Sequence, residues 1–260
     1  MDSSTVTSAV SRYSSSTLVD RIGAATQKPL ERLNRNVEST KVQLSAFGQV
    51  KSATAQVESV AKNLQSSDKL STIDEVKKAV QNFVGAVNNQ RTIVAQVSGS
   101  AKDSNNATVG ALAGDSRARS VTNDVRRAVQ GTGGSNESAL KQIGISVAQD
   151  GSLKVDTKKL EAAYAADPNA VTGALKQIGN NVEEVANRQL SNSGNLGGSI
   201  NRLNERLGNY QQTQANYQAG LKASQQAVDQ RNFQIDQAQT QTQQAFGLIG
   251  ANAYKGVFSI

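Results

Sequence analysis

Two glycine-rich stretches are the first places in this sequence where a phosphate group could bind. They are residues 110–114, Gly-Ala-Leu-Ala-Gly, and residues 131–134, Gly-Thr-Gly-Gly. Neither has the G-x-x-x-x-G-K-[ST] or G-x-G-x-x-G spacing that lets backbone N–H groups surround a phosphate, and neither follows a predicted strand. We therefore interpret both stretches as turns and predict that the chain binds no cofactor.

The side chains that usually carry acid–base or nucleophilic catalysis are absent or poorly placed. The sequence has no His and no Cys, which removes the common general base, the common metal ligands and a conventional Ser–His–Asp triad. The acidic residues stand mostly beside Lys or Arg, as in Glu31-Arg32 and Glu205-Arg206, and a buried acid–base pair has no support. The sequence thus predicts no catalytic residues, no metal site and no enzymatic activity.

The charge and composition limit the classes of partner. The net charge is +7 and the pI is about 9.6, which is compatible with nucleic-acid binding. However, the cations occur singly or as doublets such as Arg126-Arg127, with no dense basic stripe, so we predict neither a nucleic acid nor a membrane as partner. No stretch approaches the roughly 20 apolar residues of a membrane span. Residues 1–16 are rich in Ser and Thr and lack the apolar run of a cleaved signal peptide.

Two long segments, near the two ends of the chain, have the alternating three- and four-residue apolar spacing of helices that pack lengthwise. The predicted contact positions are Leu30, Leu33, Val37, Leu44 and Phe47 in the first segment, and Ile200, Leu203, Leu207, Tyr210, Tyr217, Leu221, Val228 and Ile235 in the second. Thr40 interrupts the first line, and Gln214, Ser224 and Arg231 interrupt the second. These polar interruptions weaken an intramolecular core formed by the two helices. We therefore predict that the two segments contact other subunits.

The predicted fold is mainly α, with long coiled-coil-like terminal helices that form a leg and a small α+β inner domain. The inner domain should carry one β-hairpin at about 143–156, because apolar residues alternate on both sides of Asp150-Gly151. The predicted N-terminal part is a flexible segment over 1–28 with a short helix at 17–25, followed by a helix over 29–66 that opens at Pro29. The inner domain should span 72–190, with helices at 73–98, 116–129 and 157–178. A helix over 199–246 and a flexible tail over 247–260 should follow.

Several of these runs, taken in order, resemble one known family. The runs are Gly-Ala-Leu-Ala-Gly-Asp-Ser at 110–116 with Arg117 and Arg119, Ile-Gly-Ile-Ser-Val at 143–147, Asp-Gly-Ser-Leu at 150–153, Lys-Leu at 159–160, Ala-Ala-Asp-Pro-Asn-Ala-Val at 165–171, and segments 18–20, 28–30, 44–51 and 76–88. They resemble the bacterial flagellar filament cap family, also named hook-associated protein 2. In that family a large, mostly β insertion separates the two helices that correspond to 29–66 and 73–98. This chain has a short loop there and is similar to a minimal form that lacks the outer β domains.

The resemblance implies a non-catalytic assembly protein at the tip of the flagellar filament. Family members form a ring, often of five copies, that helps flagellin to fold and insert. The implied partners are the chain itself, flagellin, the hook–filament junction proteins and an export chaperone that binds the C-terminal helix. The implied location is extracellular, reached unfolded through the flagellar type III export channel, with roles in motility and adhesion. The alternatives are another axial structural protein, either a junction or a flagellin-like subunit, and a basic coiled-coil protein that binds nucleic acid.

Overall fold

The computed structural model describes residues 3–66, 70–101, 108–131 and 134–257. Its helices are α1 Ser3–Asn63, α2 Ile73–Ser98, α3 Ser116–Gln130, α4 Glu137–Gln142, α5 Thr157–Ala166, α6 Pro168–Leu190 and α7 Asn195–Val257. Strand β1, Ser100–Ala101, pairs antiparallel with β2, Thr108–Val109, and β3, Ile145–Val147, pairs antiparallel with β4, Leu153–Val155. The predicted fold class is confirmed: the chain is mainly α, with long terminal helices and a small hairpin. The β1–β2 pairing is an addition that the sequence did not indicate.

The chain forms two compact units. Unit 1 combines Met1–Glu38 with Gly208–Ile260, and unit 2 is Ser39–Leu207. Helices α1 and α7 each contribute to both units, so a unit boundary falls inside each long helix. The predicted division of the chain into domains stays a prediction, whereas the bounds of individual helices can be compared with the structure.

The N-terminal helix differs from its prediction. The sequence predicts flexibility over 1–28 and a new helix that opens at Pro29, but α1 runs without a break from Ser3 to Asn63, with Pro29 inside it. A proline lacks one N–H donor and crowds the preceding turn. Here the favourable helix formers Ala24, Ala25 and Leu30 surround it, and one missing bond does not end the ladder.

The C-terminal helix is also longer than predicted. It begins at Asn195 rather than near residue 199, and it continues to Val257, inside the segment predicted as a flexible tail. The helix was predicted to end at residue 246, directly before Gly247. A glycine costs only about 1 kcal/mol in a helix interior, which neighbouring Ala, Leu and Ile residues offset. Residues 258–260 of the predicted tail lie outside the described residues.

Side-chain caps explain why the inner helices begin where they do. Helix α2 begins with a capping box: the Glu75 N–H donates to Thr72 Oγ1 at 3.3 Å, and the Thr72 N–H donates to Glu75 Oε2 at 3.0 Å. Asp115, Asp156 and Asp167 each accept a backbone N–H at the start of α3, α5 and α6. These interactions satisfy donors that have no partner within the helix.

Unit 2 contains two apolar clusters. The first joins the end of α1, α2, α5, α6 and the hairpin around Phe83, Leu160 and Leu175. The second lies around Phe47, Val121 and Leu196. Phe83 is 0% exposed and lies in the first cluster.

A side-chain clamp fixes the hairpin against α2. Asn88 Nδ2 donates to the Leu153 carbonyl at 2.9 Å, and the Leu153 N–H donates to Asn88 Oδ1 at 2.8 Å. The Asn88 amide therefore satisfies both backbone groups of Leu153, as a neighbouring strand would. The sequence predicts the hairpin but gives no indication of this clamp.

Candidate assembly surface on the terminal helices

Five of the thirteen predicted contact positions fall in unit 2, and four of them pack in or against an apolar cluster there. Phe47 and Leu203 are 2% and 6% exposed and belong to the second apolar cluster. Leu44 and Ile200 are half-buried and pack against that cluster. Leu207, also half-buried, is the last residue of unit 2. The assignment of Phe47 and Leu203 to contacts between subunits is therefore corrected, because intramolecular packing already covers both side chains.

The α1 positions in unit 1 are also largely covered within the chain. Leu33 and Val37 are 8% and 7% exposed, and Leu30 is half-buried. A polar contact joins the two helices of this unit: Gln214 Nε2 donates to Asn34 Oδ1 at 2.9 Å. Gln214, predicted as an interruption that weakens a two-helix core, thus makes an intramolecular hydrogen bond.

The α7 positions in unit 1 remain partly open. Tyr210, Leu221, Val228 and Ile235 are all half-buried, and Tyr217 is 38% exposed. No apolar residue of α7 between Gly208 and Phe246 is fully buried. This line of α7, which we call the α7 seam (Tyr210, Tyr217, Leu221, Val228, Ile235), is the longest continuous part of the predicted contact set in which no residue is fully buried.

The phase of the seam changes near its end. The sequence places Arg231 on the seam, but Arg231 is exposed and Asn232 is half-buried in its place. The half-buried positions here are 224, 228 and 232, which are separated by two four-residue steps in a row. The shift arises because an α-helix has 3.6 residues per turn and therefore drifts relative to a strict seven-residue repeat. Asn232 Oδ1 is buried and lacks a hydrogen-bond partner among the described residues. The polar residue that interrupts the half-buried line of α7 is therefore the neutral amide Asn232 and not the charged Arg231.

The rest of the α7 surface in unit 1 is polar but almost uncharged. Between Gln211 and Gln244 there are thirteen glutamines, and only Lys222, Asp229, Arg231 and Asp236 carry charge. Two aromatic side chains stand out from this surface, Phe233 at 63% and Phe246 at 66% exposure. Exposed aromatic side chains are enriched where proteins contact one another. The contact set predicted from the sequence leaves out both of these phenylalanines.

The described residues hold no cluster of three or more acidic side chains suited to a metal ion. Among these same residues, no helix is both long and apolar enough to cross a membrane.

Comparison with known proteins agrees with the resemblance noted in the sequence. The family model described as "Flagellar hook-associated protein 2 C-terminus" matches residues 67–244, which is more than half of the chain. The chain belongs to this family. The matched range covers most of unit 2 and the α7 seam, whereas α1, with the matching runs at 18–20, 28–30 and 44–51, lies outside it.

One curated relative is the B-type flagellar hook-associated protein 2 of Pseudomonas aeruginosa. It is 32% identical over 131 residues, which cover 44% of this chain and 26% of the relative. The chain thus aligns with about a quarter of the length of this hook-associated protein.

Proposed function

We propose that this chain acts as a flagellar filament cap: several copies assemble at the filament tip and help flagellin to fold and insert. The observation that carries the proposal is the family match over residues 67–244, which includes both the packed inner unit and the α7 seam. Under this proposal the protein is secreted, works outside the cell and has no catalytic role. Its effect comes from holding and releasing protein surfaces.

The exposure of α7 supports a role in assembly. The α7 seam keeps part of its apolar area uncovered, and Phe233 and Phe246 are largely exposed. Burial of apolar area contributes about 25 cal/mol per Å², so a partner helix laid along this face would gain stability. The near absence of charge allows neighbouring copies or flagellin to approach without strong repulsion. We assign the α7 seam to contacts with other copies and with flagellin, and unit 2 to the body of the ring.

The remaining partners and the segment boundaries are part of the same proposal. The ring holds a small number of copies, with five as the family's usual number, and sits above the hook–filament junction proteins at assembly. An export chaperone binds the C-terminal helix before secretion. The predicted segments 29–66 and 199–246 form the leg, and 72–190 forms the inner domain.

A deletion strain tests the proposal directly. Loss of a cap leaves hooks intact and releases unpolymerised flagellin into the medium, and the wild-type gene restores filaments. Normal filaments in the deletion strain would contradict the proposal. A polymerising axial subunit would give a different result: the deletion strain would lose filament mass, and an antibody against this chain would label wild-type filaments along their whole length. Salt-dependent DNA binding with no secreted protein would indicate the nucleic-acid alternative.

Substitutions on α7 connect the function to the seam. Leu221→Asp places a charge on the half-buried seam, and Ala223→Asp adds the same charge at an exposed position two residues away. We expect Leu221→Asp to abolish complementation and Ala223→Asp to retain it. Equal motility of the two strains would show that the seam is not the contact surface.

A further inference from the structure

A surface cleft of about 470 Å³ lies in unit 2 between α2, α3 and the β3–β4 turn. Its lining includes Arg91 of α2, Thr122 and Arg126 of α3, and Val147, Ala148 and Gly151 of the hairpin. Thr122 and Arg126 are four residues apart and therefore lie on the same face of α3. The hairpin thus brings an apolar wall against two guanidinium groups.

The two arginines differ in how well their charge is compensated. Arg91 is engaged: its Nε donates to the Asp150 carbonyl at 2.7 Å, and its Nη2 lies 3.2 Å from Asp150 Oδ2. Arg126 Nη1 donates to the neutral Gln130 Oε1 at 3.2 Å. Within the described ranges, no carboxylate lies within ion-pair distance of Arg126. Arg126 is half-buried, so its charge is less well solvated than that of a free surface arginine.

The carboxylate of Asp150 already interacts with neighbouring residues of the chain. Hydrogen bonds from Ser152, followed by the positive charges of Arg91 and Lys154, hold the pKa of Asp150 below its ordinary value. Two arginines, Arg91 and Arg126, line the cleft together with this one carboxylate, which leaves the cleft with an excess of positive charge.

Thr122 also lines this cleft, but its Oγ1 is buried from solvent and has no hydrogen-bond partner in the described part of the chain. The two arginines therefore supply the donors that a ligand in the cleft can reach.

Glycine at the turn keeps the cleft open. Gly151 has φ of 84°, and a Cβ built there would lie 3.4 Å from Arg126 Cδ and 3.8 Å from Arg91 Nε. The turn therefore runs directly beside both arginine stems, and a side chain at this position would occupy part of the space between them.

We propose that this cleft binds the carboxylate of an Asp or Glu side chain carried by a partner protein. The planar guanidinium of Arg126 suits a carboxylate, with which it forms charge-assisted hydrogen bonds. Val147 and Ala148 accept the methylene stem. A free inorganic anion would use the charge but leave this apolar wall uncovered. The inference rests on unit 2 alone and does not depend on the cap proposal.

The test uses the whole chain and side-chain NMR of its arginines. The probe is a capped glutamate, N-acetyl-glutamate N-methylamide, with capped glutamine and inorganic phosphate as separate arms at constant ionic strength. We expect a saturable shift of the Arg126 Nε–Hε signal with capped glutamate, in the millimolar range for a ligand of this size. Capped glutamine should give no such shift. The absence of a saturable shift with capped glutamate would overturn the proposal. Phosphate binding more tightly than capped glutamate would also overturn it, in favour of a simple anion.

The adjacent arginine provides a matched control. Arg127 is exposed, lines a different cleft and lies 3.6 Å from Asp124 Oδ1. Arg126→Gln should abolish binding of capped glutamate, and Arg127→Gln, with the same change in net charge, should leave it intact. Equal loss in the two arginine variants would show that net charge, and not the cleft, attracts the probe.

Discussion

The buried hydrogen bond between Thr54 of α1 and Gln90 of α2 allows a quantitative test of what stabilises unit 2. Gln90 and Thr54 are both 0% exposed. Gln90 Nε2 donates to Thr54 Oγ1 at 2.9 Å, and the Thr54 hydroxyl donates to the Val50 carbonyl at 2.8 Å. Gln90 Oε1 is buried without a partner among the described residues. The pair is therefore only partly satisfied, and its two members should respond differently to removal.

The physics predicts opposite signs for the two single substitutions. Thr54→Val removes the acceptor and leaves Gln90 Nε2 buried and unpaired, so it should lower the free energy of unfolding by about 2 kcal/mol. Gln90→Leu removes the unpaired Oε1 together with Nε2, while Thr54 keeps its bond to Val50. This variant should raise the free energy of unfolding by about 1 kcal/mol, because an apolar side chain of similar size replaces a partly satisfied polar one.

The double variant completes the cycle. With both substitutions no buried amide is left without a partner, so the stability should lie near that of Gln90→Leu and the two effects should not add. Urea unfolding of the four proteins, followed by circular dichroism, measures the required differences. A Thr54→Val variant as stable as the wild type, or a Gln90→Leu variant less stable than it, would refute this account of the contact.

Three further predictions concern the hairpin and the start of α2. Asn88→Ala removes both clamp bonds to Leu153 and should cost about 2 kcal/mol, with faster hydrogen exchange in the hairpin than in α6; uniform exchange would contradict the clamp. Gly151→Ala should cost about 1–2 kcal/mol because of its positive φ, and an unchanged urea midpoint would contradict this. Hydrogen bonds from Ser71 and Thr72 hold the pKa of Glu75 below its ordinary 4.5, so its stabilisation is complete above pH 4.5 and is lost as the pH falls through the lower, folded-state value. Glu75→Gln should therefore show a smaller fall in melting temperature on acidification than the wild type, and an equal fall would exclude this role.

The sequence was sufficient where local signals agree with one another. Helix α2 has the predicted bounds, because Thr72 and Glu75 form the capping box and its apolar positions repeat regularly. The hairpin lies within the predicted range, because Asp150-Gly151 separates two alternating runs. These features depend on neighbours in the sequence, which a single sequence contains in full.

The sequence was insufficient where distant contacts decide the outcome. Nothing in the local pattern distinguishes Phe47, covered by the second apolar cluster, from Tyr217, which remains 38% exposed. The same is true of Asn88, whose partner lies 65 residues away. The change of seam from Arg231 to Asn232 follows from the true helical period, which a strict seven-residue repeat ignores.

Whether this chain caps the filament can be seen by electron microscopy of whole flagella labelled with gold-conjugated antibody against unit 2. For a cap we expect a single cluster of gold at the distal end of each filament, with bare filament shafts. Gold along the whole shaft, or a cluster confined to the junction between hook and filament, would contradict it.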